Sequence, residues 1–120
     1  MANGTLKPFP TLDWADGPEK GELGFSAVIG IDSADDGTVW MLDMGSATAT
    51  PRLVAWNTVT DQLKSIVPIE SSALISNSFL QDFAIDSKRK LAYIADMSLG
   101  NLDGATKPAF MNTQLFFNPV

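Results

Sequence analysis

The sequence predicts an all-β chain of antiparallel, blade-like meanders: a partial β-propeller of about two blades, the second truncated. Three observations carry that expectation. From Phe25 onward the apolar residues fall in runs of strand length, each closed by turn residues. Those runs are rich in Val, Ile, Trp and Tyr, the β-branched and aromatic side chains that suit a pleated, half-buried surface. The order of motifs in the first half then begins again near Phe79.

The elements follow in order. Residues 1–23 hold Pro8, Pro10, Gly17, Pro18 and Gly21 and read as an extended arm, since each proline fixes φ and removes a donor. Leu6, Phe9, Leu12 and Trp14 give that arm something to bury. Phe25–Ile31 is the first strand candidate, and Asp32-Ser33-Ala34-Asp35-Asp36-Gly37 is the turn that closes it. Thr38–Asp43 is nearly all apolar, as a strand covered on both faces would be. Gly45–Pro51 is a loop, Arg52–Asn57 a third strand, Thr58–Asp61 a turn and Gln62–Ile69 a fourth strand. Together these make one four-stranded blade over residues 24–70. Ser71–Gln81 has the length for a helical turn, but its Ser and Asn content favours a connecting loop.

The repeat is carried by short motifs. Ile31-Asp32-Ser33 recurs as Ile85-Asp86-Ser87, at an offset of 54 residues, and Trp40-Met41-Leu42-Asp43-Met44 recurs as Tyr93-Ile94-Ala95-Asp96-Met97, at 53. Pro51-Arg52-Leu53 has a shorter echo in Pro108-Ala109-Phe110. Residues 78–120 therefore read as the second, truncated blade, with Thr113–Phe117 as its last strand candidate, and residues 1–120 as one domain.

Composition narrows the chemistry. Eight Lys and Arg stand against fourteen Asp and Glu among 120 residues, a net charge of −6. That balance argues against nucleic acid and against anionic membrane surfaces, whose binding rests on cationic side chains. The chain has no Cys and no His. Disulfides, thiolate metal sites, Ser-His-Asp and Cys-His nucleophiles and most zinc sites are thereby excluded. No GxGxxG, P-loop, GxSxG or HExxH pattern occurs, and no cofactor is expected. The N-terminus lacks an apolar h-region and no apolar run approaches a membrane span, so the expected location is cytoplasmic.

Several of these segments are similar to the major royal jelly protein / Yellow family. They are Phe25–Asp32 leading to Val39-Trp40-Met41-Leu42-Asp43-Met44-Gly45, Pro51–Asn57, Ser78–Asp86 and Ala92–Asp96, with Lys7-Pro8-Phe9-Pro10 and Trp14 ahead of them. The resemblance covers about residues 6–100. It implies blades of a six-bladed propeller, in a family whose members are usually secreted and some of which bind small amines in the central channel. It assigns no ligand residue to a position of this sequence.

The candidate ligand-binding residues are Asp43, Asp96, Trp40 and Tyr93. Asp43 and Asp96 end corresponding strands; a carboxylate pair can act as acid and base, or each can cap the N–H groups of its own following loop. Trp40 and Tyr93, with Trp56, suit either an aromatic wall or packing between blades. The Asp32–Asp43 stretch resembles a calcium loop in its acidic spacing, but Ala34 stands where an oxygen ligand belongs. No catalytic or metal residue is assigned. Lys88-Arg89-Lys90 occupies the turn equivalent to the acidic Asp35-Asp36 turn, a pattern that would favour head-to-tail contact between blades.

Two blades leave strand edges and apolar faces open, and Phe110–Phe117 is far from a polar cap. The expected function is a non-enzymatic binding or interaction module that self-assembles as a homo-oligomer, either a dimer or three copies supplying six blades. A small-molecule ligand is a possible further partner. The alternatives are a metal-dependent lactonase-like hydrolase working through carboxylates such as Asp43 and Asp96, and a truncated product without activity.

Overall fold

A computed structural model describes residues 4–17, 24–74, 78–97 and 112–117. Strands β1 (Val28–Ser33), β2 (Thr38–Asp43), β3 (Arg52–Asn57) and β4 (Gln62–Pro68) form an antiparallel sheet in the order β1-β2-β3-β4. Strands β5 (Leu80–Asp86), β6 (Leu91–Asp96) and β7 (Asn112–Phe117) form a second antiparallel sheet in the order β5-β6-β7. Each sheet is a plain meander, and the all-β expectation holds. The limits of β2 and β3 coincide with those read from the sequence, where turn residues flank both runs. β1 begins three residues late, because Ser26 and Ala27 give their N–H groups to the Asp43 carboxylate and not to a ladder. Among the described residues no helix is long and apolar enough to cross a membrane.

The arm departs from expectation. It is not extended throughout: Leu12–Ala15 forms one helical turn, α1, with the Thr11 hydroxyl accepting from the Trp14 N–H at 3.4 Å. The last proline of the first cluster is Pro10, so Thr11 is free to cap and the following residues keep their donors. That turn drives Trp14 inward, tilted against Phe25 at 5.1 Å and edge-on to Trp56 at 6.4 Å between ring centroids. The connector after β4 holds a single 3-10 turn at Ser71–Ala73, and residues 75–77 lie outside the described set.

Side-chain alternation in β2 and β3 divides the first sheet into two buried faces. Val39, Met41, Val54 and Trp56 pack beneath Trp14 of the arm and Phe25 just before β1. Trp40, Leu42, Leu53 and Ala55 pack instead against the second sheet, on Leu80, Phe83, Ala92 and Ile94. The near-continuous apolar runs of β2 and β3 are thus explained by cover on both sides. Each large side chain so buried contributes on the order of 2 kcal/mol. β1 and β5 are the strands that approach across the joint, and Gly30 makes the approach close: a Cβ there would sit 3.1 Å from the Phe83 ring.

The two sheets repeat one another in hydrogen bonds as well as in sequence. Met44 N–H donates to the Ala27 carbonyl at 2.8 Å, and Met97 N–H to the Phe79 carbonyl at 2.7 Å. Ala27 N–H donates to Asp43 Oδ1 at 2.9 Å, and Phe79 N–H to Asp96 Oδ1 at 3.0 Å. Both first strands carry a bulge at the same place, between Val28 and Gly30 and between Leu80 and Asp82. This register corrects one detail of the repeat. Ile31 pairs with Met41, whereas Ile85 pairs with Ala92, the counterpart of Val39. The structural equivalent of Ile31 is therefore Phe83, and the recurring Ile-Asp-Ser triplet is two residues out of step. A two-residue slip preserves the face of each side chain, so the apolar pattern could not reveal it.

The packing has a direction. Ala92, Ile94 and Asp96 of the second sheet are the counterparts of Val39, Met41 and Asp43, which in the first sheet face the arm. In the second sheet that same face lies on the first sheet. Its other face, carrying Tyr93 and Ala95, points outward.

Candidate functional site

The four residues singled out in the sequence fall in three different environments. Asp43 is 1% exposed and fully engaged. Its Oδ1 accepts from the N–H groups of Ala27 (2.9 Å) and Gly45 (3.0 Å), and its Oδ2 from Ser26 N–H (3.2 Å) and Arg52 Nε (3.2 Å). Arg52 also donates to the Gly24 carbonyl at 3.0 Å and lies over the rings of Trp14 and Phe25. This carboxylate ties the start of β1, the end of β2 and the arm together. Gly45, at φ 75, allows the loop to turn sharply enough to present its N–H. Asp96 is equally buried and takes the matching place in the second sheet, accepting from Phe79. The two carboxylates occupy corresponding positions of successive sheets, and each is engaged with its own set of donors. Among the described residues no group of three His, Cys, Asp or Glu side chains is placed to hold a metal ion.

Trp40 and Tyr93 are also equivalent positions, and Trp40 borders a cavity that Tyr93 does not line. That cavity, about 200 Å³, opens where the hairpin turns of β1–β2 and β5–β6 lie beside each other at one end of the stacked sheets. Trp40, Ile85 and Leu91 form its apolar wall. Its polar groups come from β4, β5 and both turns: Asp36, Lys64, Asp86, Ser87 and Lys90. Lys64 is the bulged residue of β4, opposite the Ala55–Trp56 step. Released from the regular ladder, its ammonium reaches Asp36 Oδ2 at 3.2 Å and Thr38 Oγ1 at 3.1 Å. Hydrogen bonds from the Thr38 hydroxyl and N–H, then Lys64, hold the Asp36 carboxyl down to a pKa of about 2. Asp86 is likewise lowered, first by the Arg89 N–H at 3.0 Å and then by the Arg89 guanidinium at 2.7 Å. Lys90 sits in a left-handed backbone conformation, φ 57, at the end of its turn.

The acidic Asp35-Asp36 turn and the basic Lys88–Lys90 turn, both singled out by charge, therefore flank one cavity. Lys64 was not singled out, because a lone lysine in an alternating edge strand carries no signal until a bulge re-aims it. The recurring Ile-Asp-Ser triplet sets Ile85 two residues out of step with its structural equivalent, so the sequence repeat does not point to its place beside Trp40.

Compared with known proteins, the chain matches no family model, and no curated protein matches it.

Proposed function

We propose that the chain is a non-enzymatic binding and interaction module, a partial propeller of the Yellow type, that associates with a second copy of itself. The observation that carries this reading is the directional stacking of the sheets. One face of the second sheet packs on the first, while the opposite face, with Ala84 and Tyr93, is exposed. In the first sheet the corresponding face is buried by the next layer. The outer face thus has the form of a contact surface with its neighbour missing.

The arm bears on the choice between a dimer and a six-blade ring of three copies. Head-to-tail continuation would lay the outer face of one copy on the first-sheet face of the next. Trp14 and Phe25 already occupy that face. The remaining symmetric option is outer face against outer face, an isologous dimer. A cytoplasmic location belongs to the same proposal.

Size-exclusion chromatography with light scattering tests the proposal. The expected result at micromolar concentration is twice the 12.9 kDa chain mass, shifting to the monomer in Tyr93→Arg. A clean monomer for the unaltered chain overturns self-association, and a trimer overturns the role given to the arm.

A further inference from the structure

The geometry points to the cavity between the two hairpin turns as a binding site for a small organic anion, a carboxylate carried on an aromatic or apolar body. Its volume, about 200 Å³, suits a single ring with a short acidic arm, since an apolar cavity of about 150 Å³ takes up benzene. Ligand sites of this kind are concave, mostly apolar and furnished with a few polar groups, and they favour the junction between structural layers. Here the indole of Trp40 and the side chains of Ile85 and Leu91 supply the surface for the body.

The charge of the ligand follows from which polar groups are already committed. Lys64 neutralises Asp36 at 3.2 Å, and Arg89 neutralises Asp86 at 2.7 Å. Both carboxylates of the lining are therefore paired within the protein and offer little to a cationic ligand. Lys90 makes no ion pair among the described residues, so once Arg89 is counted against Asp86 it carries the charge left unpaired among the lining residues. Lys64 has three donors and uses two, on Asp36 and Thr38, which leaves its third for a ligand oxygen. Lys64 and Lys90, from different sheets, thus both line the cavity that Trp40 lines. The chain as a whole is acidic, with a net charge of −6. A local cationic site in such a chain is set by neighbours within a Debye length, about 8 Å at physiological salt, and not by the distant charge.

The test uses the full chain and phenylacetate as probe, with phenethylamine and phenethyl alcohol as controls, followed by two-dimensional amide and indole NMR. Phenylacetate is expected to shift the Trp40 indole N–H and the amides of residues 87–91 in a saturable manner, with the two controls weaker. Lys90→Asn removes the ammonium while suiting the left-handed backbone. It is expected to weaken binding about tenfold, the scale of one charge-assisted hydrogen bond. Lys64→Gln is expected to weaken it further. Saturable binding of phenethylamine equal to that of phenylacetate, shifts confined to other residues, no saturable shift at all, or affinity unchanged in Lys90→Asn would each overturn the assignment. Self-association is read separately by light scattering, so failure of one proposal is distinguishable from failure of the other.

Discussion

Trp40 and Tyr93 occupy the same position in successive sheets, yet Trp40 is 4% exposed and Tyr93 37%. The two hairpins share register, bulge and terminal aspartate, so the difference comes from what lies above each ring. The second sheet covers Trp40; Tyr93 faces outward. Truncating the two should therefore have unequal effects. Trp40→Ala removes a buried aromatic and is expected to cost about 3–5 kcal/mol. Tyr93→Ala is expected to cost less than about 1 kcal/mol in dilute solution, within the range of surface changes. Urea unfolding of both variants checks this. If the outer face is covered by a second copy, the Tyr93→Ala penalty will grow with protein concentration, whereas the Trp40→Ala penalty will not.

Gly30 governs how closely the sheets meet. A Cβ at this position would lie 3.1 and 3.2 Å from two carbons of the Phe83 ring. Gly30→Ala asks that ring to retreat by a few tenths of an ångström, whereas Gly30→Val adds two further methyl groups at the same tight contact. The valine variant is expected to lose about 1–3 kcal/mol through overpacking, more than the alanine variant. Phe83→Leu shortens the opposing side chain. In a double-mutant cycle it should recover part of the Gly30→Val loss, with a coupling of about 0.5–3 kcal/mol. Strict additivity would mean that the two residues do not meet.

Asp43 holds three backbone donors and Arg52 in a site almost closed to water. Asp43→Ala leaves those donors and the guanidinium without their acceptor, at an expected cost of about 3–5 kcal/mol. Asp43→Asn keeps the shape but turns an amide donor toward donors, so it should recover only part of the loss. Amide exchange of Ser26, Ala27 and Gly45 reports the effect directly. Protection lost at these three amides, with the β5–β6 ladder retained, is the expected pattern.

Much of this arrangement was legible in the residues alone. Thr38–Asp43 and Arg52–Asn57 were readable because tertiary burial, turn residues and β-preference all act there in the same direction. The Asp43/Asp96 repeat was readable because the same capping duty selects the same side chain at both strand ends. The helical turn of the arm was not, since four residues carry too little periodicity to announce a helix beside three prolines. The cavity was not either. It is assembled from two turns and a bulged lysine, and each is ordinary until the sheets stack. The Ile-Asp-Ser coincidence misled for a related reason, because alternation has period two and tolerates a two-residue slip without moving any side chain to the wrong face.

The Asp36 turn should leave a signature in acid. Its carboxyl is held from 3.8 down to about 2, chiefly by the Thr38 hydroxyl and N–H and then by Lys64. Between those two values the unfolded chain binds more protons at this residue than the folded chain does, so stability falls as the pH is lowered. The contribution is complete above the ordinary carboxyl value and drains away as the pH approaches the folded one. Asp86 is shifted the same way by Arg89 and adds a loss of the same sign. Carbon-13 titration of the Asp36 carboxyl in the folded chain measures the first quantity, and an inflection near the ordinary 3.8 would refute it. Urea midpoints followed from neutral pH downward measure the second. Asp36→Asn, which keeps an acceptor for Thr38 but cannot titrate, is expected to show a shallower acid decline than the parent. Lys64→Gln is expected to fall between the two, since the ammonium is only the third contributor and the Thr38 hydrogen bonds persist without it.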